Sequence, residues 1–130
     1  MKNIFVYGSL KKGFFNHEII NENPRNRFIK NGVICGYNLF LLYSYPGIKA
    51  SSSNDKVYVE LYSLTDEVFD RIDRLERRAN YTPVEVEDED GKSGTIYVYN
   101  GDVDKSKIIP FGKLTKDDEK LKIAKEENGE

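Results

Sequence analysis

The 130-residue chain has one cysteine, one histidine, one methionine and no tryptophan. Cys35, standing alone, excludes an intramolecular disulfide framework. His17, also alone, excludes a histidine-based zinc cluster and an H-E-x-x-H site, and a Ser-His-acid triad would have to use this one residue. An excess of charge is missing too: 20 basic and 22 acidic residues are interspersed along the chain, which leaves no electrostatic footprint of a nucleic-acid surface. No apolar run approaches membrane-spanning length. The chain opens directly on the strand-like run Ile4-Phe5-Val6 without a signal-peptide layout. These absences lead to the expectation of a cytoplasmic protein with no nucleic-acid or membrane partner and no bound metal, and leave the oligomeric state open.

Hydrophobic residues make up 38% of the chain and charged residues 32%, which is enough apolar surface to build one core and too short a chain for two comfortable ones. We expect a single domain over residues 1–112. From 113 to 130 the chain turns to Lys and Glu with few apolar residues, the composition of a frayed helix or a disordered tail.

Lys2 to Tyr7 is an apolar, β-branched and aromatic run ending at Gly8, and is read as a buried first strand that delivers the chain into a loop. Further strand is expected from Gly32 to Tyr43, interrupted at Gly36 and ended by a turn at Tyr45-Pro46-Gly47. Between Asp55 and Leu64, Val57, Val59 and Leu61 alternate with Tyr58, Glu60 and Tyr62, the period of a half-buried strand. Thr65-Asp66-Glu67 then supplies an N-cap and an acidic first turn for a helix to about Ala79. Val84, Val86, the turn Asp90-Gly91 and the run Thr95 to Tyr99 form a hairpin. Strands dominate, so the expected class is α+β: a mostly antiparallel, barrel-like sheet with helices packed on it.

One residue breaks the pattern of its helix. With Ile72 at zero on a wheel that advances about 100° per residue, Val68, Phe69, Leu75 and Ala79 form the apolar stripe, and Glu76 falls at about 40° within it. The other charges of the helix lie outside. An inward carboxylate must be paired, hydrogen-bonded or neutralised, and desolvation lifts its pKa toward the range in which it exchanges protons near pH 7. The alternative is a surface role near the helix end, where the stripe meets solvent and the carboxylate pairs with an arginine or caps a loop.

The segment Gly8 to Gly13 has the glycine spacing of a phosphate loop, but Phe14 and Phe15 stand where that motif needs Lys and Ser or Thr, so nucleotide binding is rejected. What remains is a glycine turn whose N–H groups can cradle a carboxylate, or a plain connection. Cys35, between Ile34 and Gly36, is expected to be buried packing. The acidic run Glu85 to Asp90 lacks calcium-loop spacing and is expected to be a solvated hairpin tip. The tyrosines, among them Tyr45, Tyr81 and Tyr97, serve either as pocket hydroxyls or as packing.

Taken together, Phe5-Val6-Tyr7-Gly8-Ser9-Leu10-Lys11-Lys12-Gly13 resembles the opening signature of the gamma-glutamylcyclotransferase-like superfamily. Phe14-Phe15-Asn16-His17 is similar to the branch that contains gamma-glutamylamine cyclotransferase. Tyr45-Pro46-Gly47 resembles that family's Tyr-Pro turn, Asp73-Arg74-Leu75-Glu76 followed by Tyr81 its catalytic-glutamate segment, and Thr95 to Tyr99 its later aromatic strand. The resemblance implies a small mixed barrel with flanking helices and a cofactor-independent enzyme. Its reaction would convert a small γ-glutamyl amine, amino acid or peptide-like compound to 5-oxoproline and a free amine. It implies Glu76 as general acid/base and Tyr7, Gly8, Ser9, Leu10, Tyr45, Tyr81 and Tyr97 as substrate-binding residues. Two positions depart from the pattern: Arg77 stands where Gly often follows the glutamate, and Tyr81-Thr82-Pro83 where Tyr-x-Arg is common. Those departures carry the competing expectation of a non-catalytic protein that binds or sequesters a small ligand on the same fold.

Overall fold

The structure is a computed structural model and describes residues 1–8, 10, 17–42, 46–109 and 112–113. Ser9, residues 11–16, Tyr45 and nearly all of the expected tail at 113–130 lie outside them. The elements in chain order are β1 (Lys2–Val6), α1 (Glu18–Asn21), β2 (Arg27–Cys35), β3 (Tyr37–Leu41), β4 (Pro46–Ala50), β5 (Lys56–Leu64), α2 (Asp66–Arg78), β6 (Tyr81–Glu87) and β7 (Ser93–Tyr99), followed by a 3-10 turn at Lys105–Lys107.

Five strands form one sheet in the order β2-β5-β1-β7-β6, and β3 and β4 pair as a separate two-stranded ribbon. All neighbours are antiparallel except β1 and β7, which run parallel with Ile4 opposite Thr95. The α+β class agrees with expectation. Among the described residues the ladders do not close into a hydrogen-bonded barrel: β2 and β6 are left as the edges of the large sheet, and the ribbon covers one of its faces.

The strand period of two sorts the core into halves. Phe5, Val57, Val59, Leu61 and Ile96 pack with Ile34 from the edge strand and with Leu39 and Ile48 from the ribbon. On the opposite face Ile4, Val6, Tyr62 and Leu64 meet Val68, Phe69 and Ile72 of α2 and Ile20 of α1. Each such aliphatic side chain, fully buried, contributes roughly 1.5–3 kcal/mol relative to exposure. The central strand β1 is therefore clamped between ribbon and helix, and its C-terminal end is where the two cores meet.

Helix α2 begins where the sequence places it. Thr65 adopts extended backbone angles and its hydroxyl accepts from the Val68 N–H, with Asp66 and Glu67 in the first turn. It ends at Asn80, whose φ of 74° lies in the left-handed region, a conformation that asparagine tolerates better than most residues. The reversal sends Tyr81 straight into β6 opposite Tyr99.

Several expectations are corrected. Pro46 and Gly47 belong to β4 instead of a turn. Cys35 is exposed because the alternation that buries Ile34 turns its neighbour outward, toward Glu89 and Lys56. The acidic tip is only partly solvated: Asp88 is buried, its carboxylate accepting from Lys30 Nζ and from the Asp90 and Lys92 N–H groups. Leu75, placed in the buried stripe of the wheel, is 45% exposed. Among the described residues no helix is long and apolar enough to cross a membrane.

Candidate active site

Where the two cores meet, a cavity of about 310 Å³ opens between the end of β1, the C-terminal half of α2, and β6 and β7. Its lining is mostly apolar, from Ile4, Val6, Leu10, Ile19 and Ile72 among others, with Glu76, Tyr7, Tyr81 and Tyr97 supplying the polar side chains. Leu75, 45% exposed, also lines it. The wheel was right about the direction of this face and incomplete about what it meets.

Glu76 sits on the part of α2 that overhangs this space. Burial pushes its carboxyl up to about 7, as desolvation disfavours the charged form. Among the described residues no hydrogen bond or ion pair is made by this carboxyl. The alternative reading of Glu76, a surface acid paired with an arginine, is not what the fold builds: Arg77, one residue on, pairs with Asp73 through Nε at 2.8 Å.

Three tyrosine hydroxyls surround the site, each donating to a protein acceptor. Tyr7 donates to the Tyr97 carbonyl at 2.6 Å, Tyr81 to the Pro46 carbonyl at 2.7 Å, and Tyr97 to Asp73 Oδ1 at 2.7 Å. Burial, then the neighbouring Tyr81 and Glu76, hold the Tyr7 hydroxyl well above the usual phenol range. Tyr97 is likewise raised, by burial and then by Asp73, with Glu76 adding to the effect. These couplings put the Tyr7 and Tyr97 hydroxyls within electrostatic reach of the Glu76 carboxyl. They also keep both phenols protonated at any ordinary pH.

The loop after β1 enters the cavity through Gly8 and Leu10. A Cβ on Gly8 would stand 2.6 Å from Pro46 Cγ, so only glycine lets β4 close over the loop. The Leu10 carbonyl accepts from His17 Nδ1 at 2.8 Å, and the imidazole ring lies 5.7 Å from that of Tyr62. His17 thus precedes α1 and is held to the Leu10 carbonyl, a hydrogen-bonding role, and it is not among the residues that line the cavity.

The structure therefore gathers Glu76, Tyr7, Gly8, Leu10, Tyr81 and Tyr97 around one space. Ser9 and Tyr45 lie outside the described residues. Sequence reasoning missed Asp73 and the Pro46 carbonyl. Asp73 falls outside the apolar stripe, and its i,i+4 spacing to Arg77 signals only a surface pair. Among the described residues no group of three or more His, Cys, Asp and Glu side chains is placed to hold a metal ion.

Residues 4–116 match the model of the family described as gamma-glutamyl cyclotransferase, AIG2-like. A Methanocaldococcus jannaschii protein provisionally named a gamma-glutamylcyclotransferase is 32% identical over 81 residues, 62% of this chain and 66% of that protein, just under two thirds of its length. The gamma-L-glutamyl-butirosin B gamma-glutamyl cyclotransferase of Niallia circulans is 32% identical over 112 residues, covering 78% of this chain and 69% of that one. Among solved structures, an uncharacterised protein from Pyrococcus horikoshii superposes with a TM-score of 0.76 at 27% identity, covering 95% of this chain and 97% of that chain. A mouse AIG2-like protein shares the fold with a TM-score of 0.70 at 20% identity, covering 88% of each.

Proposed function

The chain belongs to the AIG2-like gamma-glutamyl cyclotransferase family, and from that premise we propose that it cyclises a small γ-glutamyl compound to 5-oxoproline and a free amine, with Glu76 moving the protons. The observation that carries this reading is a carboxyl that has no hydrogen-bond or ion-pair partner among the described residues, raised to about 7, in a cavity large enough for a glutamyl group.

The substrate's α-amine attacks its own γ-carbonyl carbon, a new C–N bond closes a five-membered ring, and the bond to the original amine breaks. One proton must leave the attacking nitrogen and one must reach the departing nitrogen. A single carboxyl with a pKa near the working pH serves both transfers, as base and then as acid. The N–H groups of the loop that starts at Gly8 hold the α-carboxylate or the developing oxyanion. Because attack is intramolecular, the apolar walls supply most of the remaining catalysis by fixing one conformer, which needs no cofactor.

Arg77 points its guanidinium to Asp73 and is exposed, which supports turnover despite its departure from the family pattern. The other departure, Pro83, sits in β6 opposite Tyr97. The test is 5-oxoproline release from a panel of γ-glutamyl amines and γ-glutamyl dipeptides, with Glu76→Gln alongside. Product from the wild type alone supports the reading. No product from either protein, with the fold intact, sinks it in favour of a ligand-binding protein on the same fold.

A further inference from the structure

All three tyrosine hydroxyls of the cavity donate to protein acceptors, and for Tyr97 alone among them that acceptor is a carboxylate. Tyr97 lines the cavity, yet its hydroxyl hydrogen is directed to Asp73 Oδ1 at 2.7 Å. Asp73 is not part of the cavity wall. It lies one turn of α2 before Glu76, its side chain 23% exposed, and its other oxygen accepts from Arg77 Nε at 2.8 Å. Burial pushes this carboxyl up, but the hydrogen bonds from Tyr97 and Arg77 outweigh burial and hold it below the usual carboxylate range. It is therefore an anion throughout the neutral range, an acceptor with no proton to give back.

A phenol whose hydrogen is engaged by an anion has only lone pairs left to offer. We infer that Asp73 is a positioning residue: by accepting the Tyr97 hydroxyl hydrogen, it turns Tyr97 Oη into a pure acceptor that recognises the N–H groups of the substrate's α-amine. This rests on the cyclotransferase reading of the cavity. An N–H bond held by Tyr97 Oη beside Glu76 leaves the nitrogen lone pair as the part free to face the γ-carbonyl. A simple i,i+4 surface pair with Arg77 does not account for the second oxygen being bonded to a buried tyrosine on another element.

Asparagine at position 73 offers an amide that donates to Tyr97 Oη, which turns the hydroxyl hydrogen toward the cavity and reverses its polarity there. The test uses the full chain carrying Glu76→Gln, so that the probe is not consumed, and titrates it calorimetrically with N-ethyl γ-glutamylamide and with the same molecule lacking the α-amine. The parent is expected to prefer the amine-bearing probe by about tenfold or more, the size of a hydrogen bond to a charged donor. Adding Asp73→Asn or Tyr97→Phe is expected to erase that preference, and combining them to erase no more than either alone. A parent without the preference overturns the inference, and so does a preference that survives Asp73→Asn. Asp73→Ser, which also releases the hydroxyl hydrogen, substitutes if Asp73→Asn does not melt cooperatively. The cyclotransferase reading fails separately: a wild type that releases no 5-oxoproline, while the amine preference and its loss in Asp73→Asn are both present, refutes turnover and leaves the role of Asp73 standing.

Discussion

Replacing Glu76 with glutamine keeps the shape of the side chain and removes its charge, so it separates what the carboxyl does for chemistry from what it costs the fold. In the unfolded chain this carboxyl titrates near its ordinary 4.5, and in the cavity near 7. Below about pH 4 it is protonated in both states and carries no electrostatic penalty. As pH rises from 4.5 to 7 the unfolded chain ionises first, and the native state is progressively disfavoured. Above pH 7 both states are ionised and the penalty is constant. At about 1.4 kcal/mol per decade, a rise from 4.5 to about 7 corresponds to at most about 3 kcal/mol. Glutamine escapes that penalty but carries its own pH-independent cost for a poorly partnered amide, roughly 1–2 kcal/mol. The informative quantity is thus the change in the wild-type to Gln difference between pH 4 and pH 8. Urea denaturation of both proteins at pH 4, 6 and 8 should show the variant gaining about 2–3 kcal/mol on the wild type across that range. A difference that stays flat from pH 4 to pH 8 would refute the claim that this carboxyl is desolvated, whatever the activity shows. For turnover, the wild-type kcat should climb with pH and level off above about 7, and the variant should lose about 10²–10⁴-fold.

Gly8→Ala places a Cβ 2.6 Å from Pro46 Cγ, so β4 or the loop must move; a loss of roughly 1–3 kcal/mol in a thermal melt is expected, with a larger loss of turnover than of stability. Tyr81→Phe leaves the Pro46 carbonyl without its hydroxyl donor and should cost about 1–2 kcal/mol by urea titration while leaving the Glu76 pH limb of kcat in place. Leu61→Ala, at a fully buried position of the ribbon-side core that does not itself line the cavity, should cost about 2–5 kcal/mol and serves as a stability control. For Asp88, burial pushes the carboxyl up, but the Lys30 ammonium and the Lys92 and Asp90 N–H groups outweigh it and hold it low. Its contribution is present above the ordinary pKa of 3.8 and is lost as pH falls through the depressed native value. The stability lost in Asp88→Asn should therefore be largest at neutral pH and shrink toward acid, and a loss that does not change with pH would refute the ion-pair account.

Local pattern alone determined much of this protein. The strand period of two in Val57, Val59 and Leu61, the Thr65 cap with its acidic turn, and the hairpin signal at Asp90-Gly91 are properties of neighbours in the chain, and each reappears in the fold. The inward angle of Glu76 was legible for the same reason, since a helix converts spacing into direction. What the chain could not show is which elements lie opposite one another. Apolar character places Cys35 and Leu75 in the interior, but the strand alternation that buries Ile34 turns the first outward and the cavity opens beside the second. Asp88 looked solvated until β2 brought Lys30 to it across 58 positions. Pro46 reads as a turn residue because its role, a carbonyl for Tyr81, depends on a partner 35 residues away. Asp73 reads as a surface charge because the tyrosine that gives it a role lies 24 residues on. Spacing along the chain determines the face a side chain takes, and only packing decides what that face meets.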